Sequence, residues 1–201
     1  MSSSSPIQFL SLCGKIKRTV RTGWTFYQIN QPESVSDHMY RMALIALTMP
    51  KQQNDGVSIE RVIKLALVHD LAECIVGDIT PHCNVTREEK ITRERNALID
   101  MCRLLPQDNA DELLQLWEEY NDQRTKESIL CKDFDKFEML LQAFEYEKEA
   151  GCPGMLEEFF RSTMDHFSTP MVREWIKQLC SERDSFMTPI PIDVPKQSPD
   201  V

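Results

Sequence analysis

The segment Leu65-Ala-Leu-Val-His69-Asp70-Leu-Ala-Glu73-Cys-Ile-Val-Gly-Asp78 narrows what this chain can fold into more than any other. Its apolar residues belong in a core, yet it carries an adjacent His-Asp pair and two further carboxylates. Burying ionised groups without partners costs on the order of several kcal/mol, so something must compensate for them. A divalent cation would do so. On a continuous helix, His69 and Glu73 stand one turn apart on the same face with Asp70 beside them. Gly77 breaks the helix and Asp78 follows at its end. One His and one Asp do not complete a metal site, so the rest of the chain must supply further ligands.

With 201 residues the chain fits one domain able to bury its own core. No apolar run approaches the roughly 20 residues needed to span a bilayer, and Met1-Ser-Ser-Ser-Ser-Pro6 lacks the pattern of a secretory signal. A formal net charge of −9 argues against a protein that coats a nucleic-acid polymer. It leaves room for a small anionic substrate, which needs only a few placed cations. The seven cysteines are scattered without a C-x-x-C pair, which suits reduced thiols in cytoplasm or nucleus rather than a disulfide framework. Cys74, beside Glu73, reads as packing more readily than as a ligand.

Taken in order, Ile7 to Val20 reads as an amphipathic helix with Phe9, Leu12 and Ile16 on its apolar side. Its basic end, with Lys15, Lys17, Arg18 and Arg21, suits a helix C-terminus; the sharper alternative is a cationic wall for a phosphate. Thr22 to Pro32 reads as a loop or a short extended piece. Ser34 or Ser36 then caps a helix with His38 in its first turn. Met39 to Met49 is apolar nearly all round, which predicts a helix deep in the core. Ser58 caps the helix of the opening segment. Thr86-Arg-Glu-Glu89 matches a capping box and opens a helix to about Arg103. Asp111–Tyr120 and about Arg124–Ala150 follow, the latter holding Asp133 and Asp135. Two more helices span about Met155–Phe167 and Pro170–Arg183. The expected organisation is all-α: a disordered 1–6, a single helical domain over 7–184, and a disordered, proline-rich tail over 185–201.

His38, then His69-Asp70, then Asp135 form an H…HD…D order that resembles the HD-domain metal phosphohydrolases. The fuller pattern His69-Asp70-x-x-Glu73-x-x-x-x-Asp78, with Pro32-Glu-Ser-Val-Ser-Asp-His38, is similar to the 5′-deoxynucleotidase branch. Arg21-Thr-Gly-Trp24, His38-Met-Tyr-Arg-Met and Glu138-Met-Leu-Leu-Gln-Ala extend the likeness to the eukaryotic HD domain-containing protein 2 group, over roughly residues 7 to 180. The resemblance implies a single HD-domain helical bundle and one divalent cation held by His38, His69, Asp70 and Asp135. Asp135 is chosen over Asp133 because Lys132-Asp-Phe-Asp135 aligns its last carboxylate with the family's ligand. Two imidazoles and two carboxylates suit Mn, Co, Fe or Zn better than Mg.

Glu73 and Asp78 would be the family's acid–base pair, their separate roles left open. In an alternative arrangement they bind a second cation, such as Mg, together with the Ile79 carbonyl. The family's substrate wall has an Arg directly before Trp; here Trp24 matches but Gly23 precedes it, so Arg21, Arg18 or Lys17 would hold the phosphate. Trp24 packs either against substrate or in the core, and Asp78, Ile79, Thr80 and Pro81 would form the sugar side. Of the remaining histidines, His82 is near enough to line the pocket, and His166 reads as an ordinary helix residue. The implied activity is metal-dependent hydrolysis of deoxyribonucleoside 5′-monophosphates by a homodimer. The alternatives are another small phosphate ester or nucleotide, or a non-catalytic nucleotide-binding module.

Overall fold

The computed structural model describes residues 5–50 and 56–188. Among them are ten α-helices: α1 Pro6–Cys13, α2 Thr22–Thr25, α3 Val35–Leu47, α4 Ile59–Val68, α5 Glu73–Val76, α6 Arg87–Cys102, α7 Gln107–Asp122, α8 Lys126–Ala150, α9 Glu157–Thr163 and α10 Pro170–Met187. No strand occurs among the described residues. The one isolated bridge pairs Val20 with Ser34.

Several boundaries follow from capping. The Ser34 side chain accepts the Asp37 N–H while the Asp37 carboxylate accepts the Ser34 N–H, a reciprocal box that selects Ser34 over Ser36. Ser58 and Thr86 cap α4 and α6, and Thr125 with Ser128 caps α8. Gly77, at φ 78°, and Gly151, at φ 60°, end α5 and α8 in backbone conformations that glycine adopts at little cost.

Helix α3 packs on α4, and both pack on the long α8, which α7 and α10 flank. Trp117, Phe134, Leu65 and Met42 are among the largest side chains closed off in this core. Cys74 belongs to it too, its Sγ 3.6 Å from Met101 Sδ.

Four expectations are corrected. Helix α1 stops at Cys13, and Gly14–Arg18 tightens into a 3-10 turn. Thr22–Thr25 is a helical turn rather than loop. Helix α3 is not buried all round, because its neighbours cover one side and leave Tyr40, Leu44 and Leu47 exposed at helical spacing. The His-Asp helix is not continuous: α4 ends at Val68, and residues 69–72 turn through three-residue bonds such as Leu71 N–H to Val68 O and Glu73 N–H to Asp70 O before α5 begins.

Helix α10 continues past Ser185 to Met187, with Phe186 packed edge-on to Phe144 at 5.9 Å. The rest of the expected tail, 189–201, and residues 1–4 of the expected disordered start lie outside the described residues.

One buried ion pair locks the C-terminal helix. Arg183 donates from Nε and NH2 to the two oxygens of Glu147, at 2.7 and 2.8 Å, and lies over the Phe160 ring. Glu147 is fully buried. Removing one partner strands the other charge, so Arg183→Ala should cost about 3–5 kcal/mol, read as a shift in the urea midpoint at unchanged m-value.

Candidate metal centre

Three chain segments deliver the candidate ligands. The first turn of α3 carries His38, the turn that follows α4 carries His69 and Asp70, and α8 carries Asp135. His69 Nδ1 lies 2.9 Å from the Ala66 carbonyl. A carbonyl can only accept, so Nδ1 holds the hydrogen and Nε2 is left with a lone pair. His38 is fixed in the same sense by Glu138, which faces its Nδ1. Both Nε2 atoms are buried and make no hydrogen bond.

They converge on carboxylates: His69 Nε2 lies 3.1 Å from Asp70 Oδ2, and His38 Nε2 lies 3.2 Å from Asp135 Oδ1 and 3.9 Å from Asp70 Oδ2. Ligand atoms of His38, His69 and Asp135 all fall within 4.8 Å of one another. Two orphaned imidazole nitrogens among carboxylate oxygens are what a transition-metal ion would satisfy.

The electrostatics point the same way. Burial and Arg21 oppose charging of His38, but Glu138 and Asp135 outweigh them and raise its pKa to about 9, so a cation at Nε2 would take the place of a proton there. Burial would raise Asp70 and Asp135, yet His69 beside Asp70, and Lys132 and His38 beside Asp135, hold both below the ordinary carboxylate range. The pocket is built to hold positive charge.

Asp133 and Asp135 separate cleanly. Asp135 Oδ2 accepts Tyr120 Oη–H at 2.5 Å and Lys132 Nζ–H at 2.7 Å, which turns Oδ1 toward His38. Asp133 faces away and accepts the backbone N–H groups of Ser168 and Thr169 and the Thr169 hydroxyl, tying down the entry to α10. Asp133→Ala should therefore cost about 2–3 kcal/mol of stability while the folded fraction keeps its metal binding. Asp135→Ala should do the reverse. Thermal unfolding and Mn titration on both variants check this.

A cavity of about 520 Å³ opens over the centre, a size suited to a small ligand. Its wall includes Arg21, Glu73 and Asp78 beside the candidate ligands. Arg21 is brought there by the short pairing in which its N–H donates to Glu33 O and the Val35 N–H to Thr19 O. Its NH1 lies 3.6 Å from Asp70 Oδ2. Lys17 and Arg18, the other cations weighed for the phosphate, are exposed and do not line the cavity.

Glu73 is buried, with Oε2 lacking any hydrogen-bond partner. Burial, then Asp70 and Asp78, raise its pKa well above the ordinary carboxylate value. Asp78 is anchored by the Thr22 N–H at 2.7 Å, and the Asp78 carbonyl accepts the Thr22 hydroxyl at 2.8 Å.

Other wall assignments change. Trp24 is 1% exposed, enclosed by Tyr146 and Phe159, and lies in the core rather than on the wall. It acts indirectly: its Nε1–H donates to Glu33, which in turn faces Arg21. Ile79, Thr80 and Pro81 also stand off the wall. The Ile79 carbonyl accepts Lys90 Nζ–H at 2.8 Å, and that ammonium lies 3.6 Å from Glu73 and 3.4 Å from Glu94. Of the three groups weighed for a second cation, the Ile79 carbonyl thus accepts from Lys90 and Asp78 from the Thr22 N–H, while Glu73 Oε2 has no hydrogen-bond partner. The histidines trade places as well: His166 lines the cavity, whereas His82 packs on Phe26.

Tyr120, Lys90 and Glu94 lie outside the H…HD…D pattern and carry no signal of their own in the sequence, whereas Lys132 opens the Lys132-Asp-Phe-Asp135 stretch. Arg41 and Glu138 did have one, being inside the two motifs that start at His38 and at Glu138.

An all-α bundle that gathers His38, His69-Asp70 and Asp135 at one buried centre defines an HD domain, and the family model described as HD domain matches residues 13–175. The chain belongs to the HD domain family. It is similar to "5′-deoxynucleotidase HDDC2" of Danio rerio, with 51% identity covering 88% of this chain and 87% of that protein. The protein of the same name from Homo sapiens is 46% identical, covering 90% and 87%. Among solved structures, a conserved hypothetical protein from Pyrococcus furiosus aligns with TM-score 0.69 and 33% identity over 87% of this chain and 99% of its own.

Proposed function

We propose that this chain hydrolyses deoxyribonucleoside 5′-monophosphates to deoxynucleoside and phosphate, using one divalent cation held by His38, His69, Asp70 and Asp135. The observation that carries this reading is the pair of buried Nε2 atoms without a hydrogen bond that face Asp70 and Asp135, beneath a nucleotide-sized cavity lined by His69, Asp70 and Asp135. The names of relatives at 46–51% identity support the substrate class. Bound there, a divalent cation supplies positive charge to a phosphoryl oxygen and lowers the pKa of water; the mixed N/O donor set favours Mn, Co, Fe or Zn over Mg.

The chain's own groups do the rest. Arg21, held charged among Asp78 and Asp70, neutralises a phosphate oxygen. Water attacks phosphorus, the P–O5′ bond breaks, and a proton passes from the water to the leaving O5′. Glu73 is suited to carry it: Oε2 is unpartnered, and its raised pKa lets it both take and return a proton. Asp78, fixed by Thr22, orients the reacting groups.

Lys90, Lys132 and Lys136 also reach the wall, each facing a carboxylate, and Arg87 lines it beside them. The exposed α3 stripe supports a homodimer, which sedimentation equilibrium tests. The seven free cysteines support a reducing compartment, cytoplasm or nucleus, and no described helix is long and apolar enough to cross a membrane.

The test is phosphate release from a panel of ribo- and deoxyribonucleoside 5′-monophosphates. Release selective for the deoxy compounds is the expected result. Release without sugar preference would move the substrate, and none with any metal would leave a binding module.

A further inference from the structure

Two stretches of sequence remain unexplained by the ligand set: Arg41, three residues after His38, and Glu138 with Gln142, three and seven residues after Asp135. The fold joins them. Glu138 is fully buried, and its Oε2 meets His38 Nδ1 while its Oε1 accepts Arg41 Nε–H at 2.7 Å. Arg41 extends outward, donating from NH1 to Glu145 at 2.5 Å and from NH2 to Gln142 at 2.6 Å. Helix α8 thus grips one imidazole ring by both nitrogens: Asp135 faces Nε2 and Glu138, one turn later, faces Nδ1. Glu33 also lies close to His38 and Glu138, but it is engaged by Trp24 and Arg21.

A fully buried carboxylate is costly unless paired, and packing alone would be met by an apolar side chain of similar size. Its geometry has a specific consequence. A carboxylate that accepts from Nδ1–H selects the tautomer with a lone pair on Nε2, orients the ring and makes that lone pair more basic.

We propose that Glu138 is the positioning residue of the centre: clamped by Arg41, it holds His38 as the Nδ1–H tautomer with Nε2 aimed at the cation. This rests on the reading of His38 as a metal ligand. Arg41 acts one step further out, keeping Glu138 in place from a partly exposed site.

The test is Mn titration calorimetry on wild-type, Glu138→Gln and Arg41→Met protein, with circular dichroism to establish that each is folded. Glu138→Gln should bind Mn about 10–100-fold more weakly, and Arg41→Met several-fold more weakly. At saturating Mn the KM for a deoxynucleotide should stay near wild type in both. In protein labelled with nitrogen-15 histidine and loaded with zinc, the His38 Nδ1 proton should resonate far downfield and move upfield in Glu138→Gln.

Wild-type Mn affinity in folded Glu138→Gln would overturn the assignment. Should that variant fail to fold, Arg41→Met decides, and an unchanged affinity there would overturn it too. A wild-type protein that binds no Mn would instead overturn the metal centre itself, so the two failures are distinct.

Discussion

Stripped of divalent metal by a chelator, the protein is expected to lose phosphate release by at least about 10³-fold and to regain it with Mn or Co. The four candidate ligands are the reason. His38 and His69 bring buried Nε2 atoms without a hydrogen bond up to Asp70 and Asp135, which stay ionised in a buried site. Without a cation, the Asp70 and Asp135 carboxylates stand against an incoming phosphate dianion at the centre, since the nearby basic side chains lie along the wall. Mg should restore less than Mn, because imidazole nitrogens suit it poorly. The check is an assay on chelated, dialysed protein with each metal returned separately. Full activity after verified metal removal would sink the proposed chemistry.

Glu73→Gln is expected to lower kcat by about 10²–10⁴-fold with Mn binding retained. The substitution keeps the shape of the side chain and removes its ability to take and return a proton. Glu73 is not one of the four candidate ligands, so the cation they hold should stay bound. A matched pair of measurements decides: single-turnover phosphate release and Mn stoichiometry on the same preparation. Near-normal turnover would exclude Glu73 from proton transfer. Loss of the metal along with activity would make it a ligand instead.

The capping residues show how far local chemistry carries. Ser34 with Asp37, Ser58, Thr86 and Gly151 mark helix ends where the side chain or backbone freedom of one residue decides the matter. The helices they bound lie close to their expected positions. The α4 helix differs because its end is set by tertiary demand. Residues 69–72 tighten into a turn as the chain passes from α4 into α5, delivering Asp70 to the centre and Glu73 to the cavity. The opening periodicity cannot report such a tightening, since three- and four-residue bonds share the same apolar pattern.

Trp24 and Arg21 were a single motif in sequence, and the fold divides their work. Arg21 reaches the cavity because the Val20–Ser34 bridge sets it beside the start of α3. Trp24 turns inward and supports it through Glu33. Likewise Lys90 takes the Ile79 carbonyl from eleven residues away, a contact without a pattern in the chain.

The sequence by itself determined the all-α class and most of the helix caps, because these depend on local backbone chemistry. The candidate His and Asp ligands came from the family resemblance, with only the need for a partner to the buried His69-Asp70 pair readable from the cost of burying charge. The tertiary structure alone decided which atoms of those residues meet, that Asp133 anchors α10 while Asp135 faces His38, and that Glu138 and Arg41 stand behind the ring. Those outcomes depend on the packing of α3, α4 and α8, where side chains some 100 positions apart, such as His38 and Glu138, share one hydrogen bond.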